Sequence, residues 1–218
     1  MLASGVLLLW ISRYTSLDLL LSDWMYDAAQ QDFPWRTSWF ATVLMHVWMK
    51  YLLTGIGAAM LAVLAVAYAC GWPDAAMRRR LAVVVACWVA IPLTVTLLKS
   101  SSMHHCPWDL QRYGGYAPYL RLFDRLPPGI KAGHCFPAGH ASAGLWLAAL
   151  AVFWLPGRPR MAALVFVIGL VPGLLLGWTQ QMRGAHFLTH TLWSVWIASL
   201  IILVLARFLP GRQTGAPS

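Results

Sequence analysis

The chain has 218 residues, of which 60% are hydrophobic and only 11% are charged. Soluble globular proteins carry about 25% charged residues, so this composition excludes that class and indicates a membrane protein. The net charge of +9 favours an anionic partner. Because the chain has no zinc-finger pattern, no glycine-rich P-loop and no alternation of basic and aromatic residues, we expect no nucleic-acid partner.

Apolar runs occur along the whole chain, and a run of about 18–20 residues is long enough to cross a bilayer. We predict an all-α, polytopic membrane bundle of about six transmembrane helices that forms one domain over residues 1–218. Arg13 and Asp18 interrupt the first run, and since no basic region precedes it we expect no cleaved signal peptide. The six predicted spans are 2–22, 51–72, 81–98, 139–156, 161–179 and 187–209.

The segment between the first two spans is polar and aromatic. Residues 23–37 are predicted to form a connector at the membrane interface, where Trp and Tyr are enriched. Residues 38–50 are typical either of an amphipathic interfacial helix or of an N-terminal extension of the second span. His46 lies in this segment, and we interpret it as a structural residue.

Short basic loops set the expected orientation. The loops 76–80 and 157–160 and the C-terminal end are rich in arginine and fall on one side of six alternating spans. Because cytoplasmic loops carry an excess of Lys and Arg, that side is predicted to be the cytoplasm of a cell inner (plasma) membrane. Residues 99–138 then form a long extracytoplasmic loop between the third and fourth spans. The tail 211–218 is predicted to be disordered.

Four cysteines divide into two pairs by this topology. Cys70 and Cys87 lie in predicted spans and are interpreted as small apolar residues. Cys106 and Cys135 lie in the outer loop, where an oxidising compartment permits a disulfide. The sequence leaves open whether these two cysteines are bonded.

Three polar segments meet at the outer face in this topology. Lys99 ends the third span, Pro137–His140 opens the fourth, and Arg183–His190 opens the sixth. Within the last segment, residues 183, 186 and 190 share one stripe if a single helix runs through them. Ionisable groups at such depth are costly and face a polar cavity rather than lipid.

These residue types suit phosphoryl transfer. Fixed positive charge and backbone N–H groups at a helix start bind anionic oxygens. Two imidazoles suit attack at phosphorus and protonation of a leaving oxygen, and His186 and His140 are the candidates. The candidate phosphate-binding groups are Lys99, Arg183, Ala138 and Gly139.

The three segments resemble the motifs of the type 2 phosphatidic acid phosphatase (PAP2) superfamily over about residues 50–209. Those motifs are Lys-x6-Arg-Pro, Pro-Ser-Gly-His and Ser-Arg-x5-His-x3-Asp. Lys99 is followed after six residues by Cys106 and a proline, so the lysine and the proline match and the arginine does not. Pro137–His140 matches the second motif except that Ala138 replaces the serine.

The third motif departs further. The stretch GAHFLTH aligns with the family's Gly-x-His-x-x-x-Asp, which places His186 on the nucleophile and His190 on the aspartate. In the alternative register His190 is the nucleophile and Ser194 takes the aspartate position; we prefer the first. Arg183 lies three residues after the position of the family's arginine, and we expect it to replace that arginine.

The resemblance implies an enzyme that hydrolyses a lipid phosphate or diphosphate through a phosphohistidine on His186, with His140 as general acid and no metal or cofactor. Arg112 is the nearest replacement for the missing arginine, with Arg121, Arg125 and Lys131 as others. Either His190 or Asp109 would orient the nucleophile. The expected partners are a lipid phosphate and the bilayer, and the oligomeric state is left open.

Three alternatives stay open from the sequence. A lipid-to-lipid phosphotransferase, for example onto lipid A, would use the same site. A metal-binding membrane transporter would use His186 and His190 as ligands at i and i+4, completed by His104, His105, His134 or Cys106. A non-catalytic scaffold is the third, because the motif aspartate is missing.

Overall fold

The computed structural model describes residues 1–209, and in that range the chain is all-helical, with no β-strand. The predicted disorder of 211–218 lies outside the described residues. Seven α-helices are present: α1 Leu2–Tyr14, α2 Leu17–Met25, α3 Met49–Ala69, α4 Ala75–Ser100, α5 Gly139–Leu145, α6 Pro159–Met182 and α7 Leu188–Ala206.

Four helices are long and apolar enough to cross a membrane. They are Phe40–Ala69, α4, α6 and α7, and they confirm four of the predicted spans. The predicted span 139–156 is shorter, because α5 is only seven residues long and continues as a tighter 3-10 helix over Trp146–Trp154. Together these two segments form one apolar helix, Gly139–Trp154.

The first predicted span, 2–22, is not one continuous helix. α1 and α2 are bent by 68° relative to each other at a short break. The break follows from a side chain that competes with the backbone hydrogen bonds of the helix. The Thr15 hydroxyl donates to the Ile11 carbonyl oxygen at 2.7 Å, and the backbone of Thr15 is extended. Arg13, just before the break, pairs with Asp124 of the outer loop. The two charged residues that interrupt the apolar run therefore mark this bend.

The segment before α3 extends that helix. Phe40–Trp48 forms a π-helical stretch that runs directly into α3. Of the two structures predicted for 38–50, the N-terminal extension of the second span is therefore correct. His46 lies in this stretch, is partly buried and lines a cavity described below.

The core lies where α5 and the 3-10 helix pack between α4, α6 and α7. Leu145 and Trp146 are fully buried there against Ile91 of α4. Small residues let the backbones touch: a Cβ on Gly144 would lie 2.7 Å from the backbone nitrogen of Gly173 on α6. The start of α5 is therefore held at the centre of the bundle.

The outer loop is anchored on three sides. Cys106 and Cys135 form a disulfide, which settles the pairing that the sequence leaves open. Two ion pairs tie the loop to the N-terminal helices, Arg13 with Asp124 and Arg112 with Asp23. A second apolar cluster packs it against the connector and the start of α7, through Phe33, Leu110, Tyr113, Ala117 and Phe187.

Candidate active site

A polar cavity of about 350 Å³ opens between the π-helical stretch, α3, α4, α5 and α6. No carboxylate lines it within the part of the chain that the structure describes. A cationic and hydroxylic lining without acidic groups suits an anion. Its polar lining residues are His46, Lys50, Thr54, Thr96, Lys99, His140 and Ser142.

Two of the predicted phosphate-binding groups lie together at this cavity. Lys99, in the last turn of α4, is half-buried and lines the cavity beside Gly139, the first residue of α5. A Cβ on Gly139 would lie 4.0 Å from the Nζ atom of Lys99. An anion bound here would meet the ammonium group and the start of a helix at once.

Ala138 does not offer the N–H group that the sequence predicts. Its N–H donates to the carbonyl oxygen of His190 at 3.1 Å, and its own carbonyl accepts from the Ser194 hydroxyl at 3.0 Å. Ala138 is also fully buried. Its backbone therefore fastens the start of α5 to α7 and is not free for a ligand.

Three histidines form a row. The ring centroids of His140 and His186 lie 5.9 Å apart, and those of His186 and His190 lie 5.8 Å apart. His186 and His190 are buried, while His140 lines the polar cavity. The His140 ring therefore lies next to that of His186, which does not itself line the cavity.

No single helix runs from Arg183 to His190, contrary to the sequence expectation. α6 ends at Met182 and α7 begins at Leu188. Gly184 has a φ of +72°, and a Cβ there would lie 2.4 Å from the ring of Phe33. Only glycine fits this turn, which breaks the helix and leaves His186 in a loop just before α7.

The disulfide lies directly against His186. The Sγ atom of Cys135 is 3.5 Å from Nδ1 of His186 and 3.2 Å from the carbonyl oxygen of Ala185. Burial is the main cause that lowers the pKa of His186 well below its ordinary value, with further lowering from His190, His140 and Lys99. The imidazole is therefore neutral near pH 7, the form that a nucleophile requires.

Arg183 reaches the site through His46. Its Nη1 atom donates to Oε1 of Gln180 at 2.9 Å and lies 3.3 Å from Nδ1 of His46. The His46 ring in turn stacks on His140, with centroids 4.2 Å apart. The interpretation of His46 as a structural residue stays a prediction, and the structure adds that His46 contacts two of the candidate site residues, His140 and Arg183.

Lys50 is a further cation that the sequence analysis missed. It lies one helical turn after His46 and lines the same cavity. The sequence does contain a signal for Lys50, because His46 and Lys50 form an ionisable pair at i and i+4 within an apolar helix, and such a pair indicates a polar face.

The loop residues proposed to complete the site lie elsewhere. Arg112 is exposed and binds both carboxylate oxygens of Asp23, at 2.7 Å each, so it does not replace the missing arginine. Asp109 accepts through its backbone carbonyl from Tyr116 and Ala117. Among the described residues, no hydrogen bond joins its carboxylate to His186.

A different carboxylate binds the residue that precedes His190. Asp18 of α2 is buried, and it accepts hydrogen bonds from the backbone N–H of Thr189, at 2.9 Å, and from the Thr189 hydroxyl. These bonds cap the N-terminus of α7, next to His190. In the sequence this aspartate reads only as an interruption of an apolar run.

The ligand set of the metal alternative does not come together. His186 and His190 do not form a group of three ligand atoms with His104, His105 or His134 within the described chain. The group that does converge is Cys106, Cys135 and His186. Its two sulfur atoms are bonded to each other, so neither is a thiolate ligand.

A second, mostly apolar cleft of about 670 Å³ lies on the other side of the histidine row, between α1, α4, α7 and the outer loop. Phe136, one of its lining residues, packs on the His190 ring with centroids 5.3 Å apart. The cleft has room for a lipid chain close to the site.

The comparisons agree with these motifs. The family model described as PAP2 superfamily matches residues 79–214, more than half of the chain, and this range holds Lys99, His140, Arg183 and His186. Comparison with curated proteins and with solved structures found no match. The chain therefore belongs to the PAP2 superfamily, whose activity is generally that of a phosphatase acting on phosphoric esters.

Proposed function

We propose that this membrane protein hydrolyses a lipid phosphate or diphosphate through a phosphohistidine intermediate on His186. The observation that carries the proposal is the 5.9 Å separation of the His140 and His186 rings beside a cavity lined by Lys99. A nucleophile, a proton donor and a cation thus lie within reach of one phosphoryl group.

The reaction has two steps. His186 attacks phosphorus, a nitrogen–phosphorus bond forms, the bond to the lipid oxygen breaks, and His140 gives its proton to that oxygen. Water then attacks phosphorus, the nitrogen–phosphorus bond breaks, and His140 takes up the proton that the water loses, which restores both histidines and releases inorganic phosphate. Lys99 and Arg183 hold the equatorial oxygens, where phosphoryl transfer needs most of its stabilisation.

The proposed placement is the outer face of the inner (plasma) membrane. In this arrangement the broken helix pair α1–α2 and the short Gly139–Trp154 segment join the four long helices as the first and fourth of six spans. The basic loops 76–80 and 157–160 support a cytoplasmic position for the opposite end. Lys99 and the histidines then lie at the outer headgroup layer, where lipid phosphates are exposed.

Phosphate release from purified protein in detergent micelles tests the proposal. The assay uses undecaprenyl diphosphate, phosphatidylglycerol phosphate, phosphatidic acid and lipid A phosphates in turn. We expect His186→Gln and His140→Gln each to lower kcat by about 10³-fold or more, since they remove the nucleophile and the acid. The matched control is His134→Gln, an exposed loop histidine. Undiminished turnover by the His186 variant would overturn the mechanism.

Transfer to a second lipid is the alternative that the 670 Å³ cleft favours, because it provides an apolar site next to His190. Lipid substrate with a radiolabelled phosphate, supplied together with unlabelled lipid A, separates the two reactions. Label in free phosphate supports hydrolysis. Label in lipid A supports transfer.

A further inference from the structure

Two buried nitrogens of the histidine row, the Nδ1 atoms of His140 and His190, have no hydrogen-bond partner. His140 lines the polar cavity, whereas Nδ1 of His190 belongs to a residue that is only 3% exposed. A buried imidazole N–H without an acceptor is costly. This nitrogen therefore marks a position where an acceptor is expected.

A small cavity next to His190 connects this nitrogen to such an acceptor. It has a volume of about 10 Å³ and is lined by His190, Asp18, Thr189, Ser12 and His104 among others. That volume is about the minimum for one water molecule, and the site offers the two or more polar partners that such a water needs. Asp18 and His190 thus face one polar space from α2 and α7.

Asp18 is the carboxylate that can serve as the acceptor for His190. The chain has seven acidic residues, all of them aspartates, and Asp18 is the one that is buried. The others are engaged at the surface or lack a contact with the histidines: Asp23, Asp32 and Asp124 pair with arginines, Asp27 and Asp74 accept from backbone N–H groups, and Asp109 lies in the outer loop.

We propose that Asp18 is the positioning residue of the histidine row. Its role rests on the function proposed above. Asp18 accepts from His190 by way of one water molecule in the small cavity, and so fixes the tautomer and orientation of that ring. It also supplies the negative charge that balances His186 when His186 becomes a cationic phosphohistidine. A buried charge acts strongly on neighbouring groups because the surroundings have a low dielectric constant. Partners one shell away from a reacting histidine act in this way in other sites.

Asp18→Asn in the full-length protein tests this role. Asparagine has the same shape and can still accept from the Thr189 N–H, so it keeps much of the cap and removes the charge. We expect kcat for the best of the four lipids to fall about 10–100-fold with little change in KM. Phosphohistidine, trapped from radiolabelled lipid by an alkaline quench, should form correspondingly more slowly.

Two variants separate positioning from structure. Asp23→Asn makes the same change on the same helix at a surface ion pair, and we expect it to keep wild-type kcat. Thr189→Val removes a hydrogen bond to Asp18 but keeps the charge, and we expect a smaller loss of kcat than for Asp18→Asn. An equal loss in Thr189→Val, or wild-type kcat in Asp18→Asn, would overturn the inference.

If thermal unfolding in micelles shows that Asp18→Asn does not fold, a fourth variant, His190→Gln, tests the role of Asp18. Asp18 acts through His190, so His190→Gln must also lower kcat without raising KM; wild-type kcat in that variant rejects the inference. Wild-type protein that hydrolyses none of the four lipids rejects the proposed function as well. Activity in the wild type together with full activity in Asp18→Asn rejects only the role of Asp18.

Discussion

The Sγ atom of Cys135 lies 3.5 Å from Nδ1 of His186. A disulfide sulfur thus forms part of the wall around the candidate nucleophile, at the point where the outer loop returns to α5. The bond to Cys106 holds this wall in place from the far end of the loop. We therefore expect the redox state of the two cysteines to be coupled to the geometry of His186.

Breaking this disulfide should lower activity. Removal of a native disulfide costs about 2–5 kcal/mol of stability, and here it also frees the wall that packs on His186. We expect Cys106→Ser, or reduction of the wild type with a dithiol, to lower both kcat and the thermal midpoint. The control is Cys70→Ser, which alters an exposed free cysteine. A reduced enzyme with unchanged kcat would contradict the coupling.

Lys50 should contribute to substrate binding. It lines the polar cavity with Lys99, and a cation there attracts a phosphate in both ground and transition states. We expect Lys50→Met to raise KM about 10-fold, with a smaller effect on kcat, because the lost interaction stabilises the bound substrate and the transition state equally. Arg79→Met, an exposed cation in the first turns of α4, is the matched control and should leave KM unchanged. An unaltered KM in Lys50→Met argues against this contact.

Stability should fall in acid because of His186. Its pKa is lowered by burial in the folded protein, whereas the unfolded chain binds a proton at about pH 6.5. The unfolded state therefore gains protons first, and the stability present above about pH 6.5 is lost as the pH falls below that value. We expect the thermal midpoint to drop between about pH 7.5 and 5, and less steeply in His186→Gln. Equal slopes in the two proteins would show that His186 does not carry this dependence.

A pair of glycines on α3 should differ sharply. A Cβ on Gly57 would lie 2.1 Å from Nε1 of Trp88, whereas one on Gly55 would meet no atom within 4 Å. Gly57→Ala must therefore displace Trp88, which lines the polar cavity, at a cost of about 1–3 kcal/mol. We expect it to lower the thermal midpoint and raise KM. Gly55→Ala should be neutral or slightly stabilising, and similar midpoints for the two variants would contradict the packing.

Composition and motif spacing were enough to predict much of this architecture. Apolar length located the four long helices, and the order of the polar segments brought Lys99, His140 and His186 to one region. The turn at Gly184 has a local signal, since a glycine with a positive φ just after a helix is a common helix end. Its close approach to the ring of Phe33, a residue 151 positions earlier in the chain, was harder to predict. Periodicity within a short window carries no information about such a distant contact.

The parts of the site that the sequence analysis missed lie in the N-terminal quarter of the chain. His46 and Asp18 each appear there as one polar residue in an apolar stretch, a pattern shared by many structural residues. Their contacts, of His46 with His140 and of Asp18 with Thr189, join residues far apart in the sequence and come from tertiary packing. The prediction for Arg112 was based on its proximity to Cys106 in the sequence. That proximity carries no information about its partner in the structure, Asp23.

The contact between Asp18 and Thr189 spans 171 residues of sequence. α2 is among the first helices to be synthesised, and α7 is the last helix of the described residues. Contacts of such long range form late in folding, after much of the loop-closure entropy has been lost. Closing the bundle therefore requires its first and last helices to meet, and the cap on the start of α7 forms only when α2 packs against it.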